Sequence, residues 1–199
     1  MFSKEAIMYK GKLSKLEIFD DDHHKAAKSL PVHKKALEAG LRVPKIYNIT
    51  KKAGRTYKYS EWVDGKTIQY EMDNNPALIE PICMDLGRYV NALYDVDGIT
   101  PVDCHFLNFV WHDNQVIYID LKKLFYEDYE GHIVNMSKIC LKSCQGDRNK
   151  ALAFLKGYVK YRDAGPIIED CDKRGWRWKP VRDGAIHIEP IKIEEVIAC

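Results

Sequence analysis

The chain has 199 residues, 46% of them hydrophobic and 30% charged, and a formal net charge of +2. That balance excludes a disordered chain, the length is enough to bury a sizeable core, and no apolar run approaches the span of a bilayer. Charge is unevenly placed, because residues 1–60 hold 14 Lys/Arg against 6 Asp/Glu, a local +8 that leaves −6 for the remainder. Such a basic part either faces phosphates or another polyanion, or forms a solvated lysine-rich surface. The N-terminal stretch MFSKEAIMYKGK lacks the apolar core and cleavage site of a signal peptide, so a cytoplasmic location is expected. Six cysteines (83, 104, 140, 144, 171 and 199) contain no Cys-x-x-Cys pair and are read as reduced, mostly buried residues rather than a zinc site.

In chain order, residues 6–11 and 13–19 read as two strands joined at Lys10-Gly11-Lys12, from their β-branched and aromatic content around a glycine. Asp20-Asp21-Asp22 offers helix N-caps, and residues 23–39 are helical in pattern, with Pro31 kinking the helix or beginning its second half. Residues 41–47 are expected as an edge strand and residues 56–63 as its partner, turning at Ala53-Gly54-Arg55 and closed by Asp64-Gly65. Pro81 to Tyr94 predicts an amphipathic helix with Ile82, Leu86, Val90 and Leu93 as its core stripe.

The next stretch, GITPVDCHFLNFVWHDNQVIYIDLKK, carries the chemistry. Asp103, His105 and Asn108 lie on one loop, a polar turn follows at His112 to Gln115, and the apolar run 116–119 delivers Asp120. A hairpin returns the chain to its starting end, so Asn108 and Asp120 can converge on one metal ion. An amide oxygen, a carboxylate for Mg²⁺ and a second carboxylate near an acceptor hydroxyl are what phosphoryl transfer asks of a protein. The plainer reading, in which the Asp, His and Asn only cap turns, stands beside it.

The order Asp-x-His-x-x-Asn, then Ile-Asp, resembles the catalytic and metal-binding loops of the protein-kinase-like superfamily. It is nearest to the aminoglycoside phosphotransferase and choline kinase branch, while Ile-Asp-Leu followed by lysines is similar to lipopolysaccharide-core kinases. The resemblance implies an α+β, two-lobed kinase-like fold, with a reduced N-lobe over residues 1–63, a C-lobe over 64–165 and a C-terminal extension over 166–199. It implies Asp103 as catalytic aspartate, His105 as a loop-ordering residue, and Asn108 and Asp120 as magnesium ligands. SEWVDGKTI looks like the hinge, whose Glu61 and Val63 would hold adenine through main-chain groups. Lys15 is the implied phosphate-binding lysine, although alignment on Ile18-Phe19 places Glu17 there, and both point the same way in a strand. ATP and Mg²⁺ are the implied cofactors, with a nucleotide and a hydroxyl-bearing acceptor as partners.

Four departures stand out. Pro101-Val102 replaces the usual His-Gly or His-Arg, no Gly follows Asp120, no Gly-rich loop precedes Lys15, and no acid lies between Asp22 and Glu38 to pair with that lysine. They motivate an alternative, a pseudokinase acting as a nucleotide- or partner-binding module. Beyond Asp120, residues 133–144 and 150–162 read as helices, the second with Ala151, Phe154, Leu155 and Tyr158 on one face and Gly157 suited to close packing. The Trp176-Arg177-Trp178 cluster interleaves aromatic and basic side chains, but Trp beside Arg more often packs at a domain edge, and nucleic acid is not expected as a partner. The alternations at 186–188 and 191–193 suit an edge strand or a docked tail.

Overall fold

The computed structural model describes residues 3–20, 30–178 and 186–198. Strands β1 (Ser3–Tyr9) and β2 (Lys12–Asp20) form a hairpin whose turn places Lys10 at φ 49° and Gly11 at φ 76°. Two left-handed residues suit the right-handed twist of the strands they join. Strands β3 (Ile46–Lys52) and β4 (Arg55–Glu61) form a second hairpin, and the four make an antiparallel sheet in the order β1-β2-β4-β3. The edge strand thus begins at Ile46 and not at Leu41. The Leu41 amide is drawn back to the Ala36 carbonyl, Pro44 has no N–H for a ladder, and its carbonyl binds His33. Helix α1 (Leu30–Glu38) carries Pro31 in its first turn and buries Val32, His33 and Ala36. The earlier part of the expected helix, residues 23–29, lies outside the described residues.

After Glu61 the chain runs as an irregular link through 62–64 into β5 (Lys66–Thr67) and helix α2 (Ile68–Asn74). Helix α3 (Ile79–Tyr94) buries Ile82, Leu86, Val90 and Leu93, the expected stripe, all at 0% exposure. It leads to β6 (Ile99–Pro101) and the hairpin of β7 (Phe109–His112) and β8 (Gln115–Tyr118), then to β9 (Leu124–Tyr126), which pairs with β6. Helix α4 (Tyr129–Lys138) follows, capped by the Asp128 carboxylate and extended by a π-helical turn over 139–143. Helix α5 (Arg148–Val159) is capped by Asp147 and packs along α3. Two glycines permit this approach, since a Cβ on Gly157 would strike the Met84 backbone and one on Gly87 the backbone at Phe154 and Tyr158.

The described part of residues 166–199, expected as an extension, contributes to the same core. Helix α6 (Gly165–Lys173) packs on α4, and Ile167, Cys171, Trp176, Ile188, Ile191 and Val196 join the buried cluster. A short ladder pairs β10 (Arg177–Trp178) with β11 (Ile186–His187), and helix α7 (Ile193–Ile197) lies against α5. The fold is α+β, a small antiparallel sheet beside a mainly helical body. No helix among the described residues is long and apolar enough to cross a membrane.

Candidate functional site

The hairpin β7–β8 brings Asn108 and Asp120 together. Asp113 and Asn114 occupy its turn at φ 50° and 57°, and the Ile119 amide donates to the Asn108 carbonyl at 2.9 Å, closing the open end. Helix α3 holds this hairpin from beneath: the Asp85 carboxylate accepts from the Val116 amide at 2.7 Å and the Tyr89 hydroxyl from the Tyr118 amide at 3.2 Å. The Asn108 side chain donates to the Asp103 carbonyl at 3.0 Å, which ties the start of the loop to its end.

The loop is braced from further along the chain as well. The Ser143 hydroxyl, in the π-helical turn, donates to the Cys104 carbonyl at 2.6 Å, and the Tyr118 hydroxyl donates to the Asp103 carbonyl at 3.4 Å. Just before the loop, Thr100 bonds a ring nitrogen of His132 at 2.9 Å. That ring is fully buried beside the Tyr158 hydroxyl, and burial, with the nearby Arg162 charge, lowers its pKa to about 3. His132 is therefore a neutral structural group at ordinary pH. Burial likewise pushes the Cys104 thiol up to about 12, which removes it as a nucleophile beside Asp103.

Across from the hairpin stands the sheet, and between them lies a cleft of about 340 Å³. It is lined by five of the seven residues singled out in the sequence, namely Lys15, Glu61, Val63, Asn108 and Asp120. The other two, Asp103 and His105, do not line it. They sit on the adjoining loop with side chains 36% and 44% exposed and His105 Nε2 3.7 Å from Asp103 Oδ1. Ala6, Trp62, Val63, Leu107, Val110 and Ile119 give the cleft apolar walls. Trp62 and Leu107 are 41% and 62% exposed, apolar surface held open rather than packed. Glu61 has spent its main-chain N–H on the Lys45 carbonyl at 2.7 Å, so a ligand edge would meet its carbonyl and the Val63 main chain.

Asp120 is only 6% exposed, and its Oδ1 accepts no hydrogen bond from the described residues; the nearest cation is Lys122 Nζ at 3.5 Å. A buried carboxylate oxygen left in this state, beside an amide whose nitrogen is already committed, fits a hard cation. Among the described residues no cluster of three or more His, Cys, Asp or Glu would hold a metal by itself. Mg²⁺ fits such a sparse set, because it is commonly held by one or two protein oxygens together with substrate phosphates.

Two features were not legible in the sequence. The Lys15 ammonium reaches across to the Ile119 carbonyl at 3.5 Å, 104 positions along the chain, and lies 3.4 Å from Glu17 on its own strand. Glu17 in turn pairs with Lys58 of β4 at 2.5 Å, and both side chains are 2% exposed. The only signal for this was the strand alternation that turns Lys15 and Glu17 to one face. At the far end, Trp176 is buried and its indole N–H donates to Asp172, so its ring offers no stacking surface for a base. No protein-family model matches the chain, and no curated protein matches it.

Proposed function

We propose that the chain is a two-lobed, kinase-like phosphotransferase that moves the terminal phosphoryl group of ATP to a hydroxyl on a small molecule, glycan or protein. The observation that carries this reading is the convergence of Lys15, Glu61, Val63, Asn108 and Asp120 on one cleft between the sheet and the helical body. The set is chemically coherent: main-chain groups and apolar walls suit a flat base, Lys15 suits phosphates, and two hard oxygens suit the metal those phosphates carry.

In this reading Val63 and the Glu61 carbonyl hold the base edge, while Trp62 and Leu107 cover its faces. Lys15 gives up its bond to the Ile119 carbonyl for the phosphates. Asn108 Oδ1 and the Asp120 carboxylate would hold Mg²⁺, which would supply positive charge against that of the phosphates. Asp103, fixed through its carbonyl by Asn108 and Tyr118, orients the acceptor hydroxyl and takes its proton. Its partly exposed carboxylate leaves room for a bulky acceptor.

One observation favours a second reading, a nucleotide-binding module without turnover. The β1–β2 turn is a tight two-residue hairpin, with no glycine-rich flap to cover phosphates. Release of ADP from Mg-ATP, in wild type and in Asp103→Asn, separates the two. Transfer catalysed by Asp103 predicts turnover that falls about 10²–10⁴-fold in the variant with nucleotide affinity unchanged. Wild-type turnover no faster than the variant's would leave only the binding module.

A further inference from the structure

Lys15 is a flexible ammonium, and a cation that must meet phosphates needs a fixed neighbour to hold it. Helix α1 offers none, because its buried polar side chain is His33, whose Nε2 is committed to the Pro44 carbonyl at 2.7 Å. The neighbour comes instead from the strand that bears Lys15. Glu17 Oε1 lies 3.4 Å from Lys15 Nζ, and Glu17 Oε2 lies 2.5 Å from Lys58 Nζ. The register sets this up, pairing Glu17 with Lys58 and Lys15 with Ser60 across β2 and β4, so the three charged side chains share one face.

We infer that Glu17, anchored by the buried Lys58, is the positioning residue that aims Lys15 at the nucleotide's phosphates. The inference rests on the phosphotransferase reading and deepens it. Its electrostatic logic is simple. A lone Lys–Glu pair sums to zero, whereas Lys15, Glu17 and Lys58 sum to +1. Lys58 neutralises Glu17 from the buried side, so Glu17 can orient Lys15 without cancelling the charge that the phosphates meet.

The test is calorimetric titration of Mg-ATP, Mg-ADP and adenosine into wild type, Lys15→Met, Glu17→Gln, Glu17→Asp and Lys15→Met/Glu17→Gln. Loss of a charge-assisted contact is expected to weaken Mg-ATP and Mg-ADP about tenfold to a hundredfold in Glu17→Gln and leave adenosine unchanged. Glu17→Asp should recover part of the loss, and the double variant should bind no more weakly than Lys15→Met. Glu17→Gln leaves Lys58 buried without its partner, so Glu17→Gln/Lys58→Met, which removes both charges, serves as the folded control and should show the same selective loss. Equal weakening of adenosine and Mg-ATP would assign Glu17 a purely structural role and overturn the inference. So would unchanged Mg-ATP affinity in Glu17→Gln, and in that case the reading of the cleft would stand. Wild type that binds none of the three ligands would overturn the reading of the cleft, and the inference with it.

Discussion

On the helical side of the cleft, the polar groups hang on backbone already closed on itself. Asn108 and Asp120 are neighbours because a two-residue turn reverses the chain between them, and α3 clamps the hairpin through Asp85 and Tyr89. On the sheet side, Lys15 owes its position to charges buried between strands, Glu17 at 1% exposure and Lys58 at 1%. The contrast is between a wall held by main-chain geometry over apolar packing and a wall held by a buried ion pair. The first calls on side-chain charge only at Asp85; the second depends on it throughout, because a buried charge without its partner is among the costliest defects in a protein.

The largest expected effect breaks the second wall. Lys58→Met leaves buried Glu17 with the more distant Lys15 in place of the close Lys58 and is expected to cost about 3 kcal/mol, read from urea denaturation. Glu17→Gln/Lys58→Met should regain most of it. If both variants were equally unstable, the lost alkyl packing of Lys58 would be the cause and the contrast would fail.

The helical side is expected to break through volume instead. Gly157→Ala puts a methyl group against the Met84 backbone where α5 crosses α3, with an expected loss of about 1–3 kcal/mol despite alanine's better helix propensity. A gain in melting temperature would show that the two helices have slack.

A smaller, graded effect follows from acid. Burial holds the folded pKa of His132 near 3, below its unfolded value, so its contribution is complete above about pH 6.5 and is lost as pH falls toward the folded value. The expected slope is about 1.4 kcal/mol per pH unit below pH 6.5. His33, whose pKa is also lowered, by burial against the partly opposing Pro44 hydrogen bond and with help from Lys58, acts in the same direction. Denaturation at pH 7, 6 and 5 should show His132→Asn with a flatter profile than wild type. Parallel profiles would mean that His132 is not held neutral.

The same contrast explains what could be read in advance. The hairpin, the core stripe of α3, the face of α5 and the tight site of Gly157 all follow from short-range periodicity and turn chemistry, so Asn108 and Asp120 could be placed before any coordinates. Glu17 and Lys58 could not be paired, since their meeting depends on the order β1-β2-β4-β3 and on a register that only the folded sheet defines. The loop's real supports, Ser143 and His132, lie further along the chain and were invisible for the same reason. The strand expected at Leu41 failed on local competition, where the helix end reclaimed the Leu41 amide and Pro44 offered no donor.

In the proposed function, one cleft binds a metal–nucleotide complex through Asp120. Its most direct test is a melting titration with ATP and Mg²⁺, separately and together, on wild type and Asp120→Ala. At a hundred times the dissociation constant, binding should add about 2.7 kcal/mol of apparent stability. This gain should need both ligands and disappear in Asp120→Ala. An equal gain in the variant, or none in wild type, would contradict it.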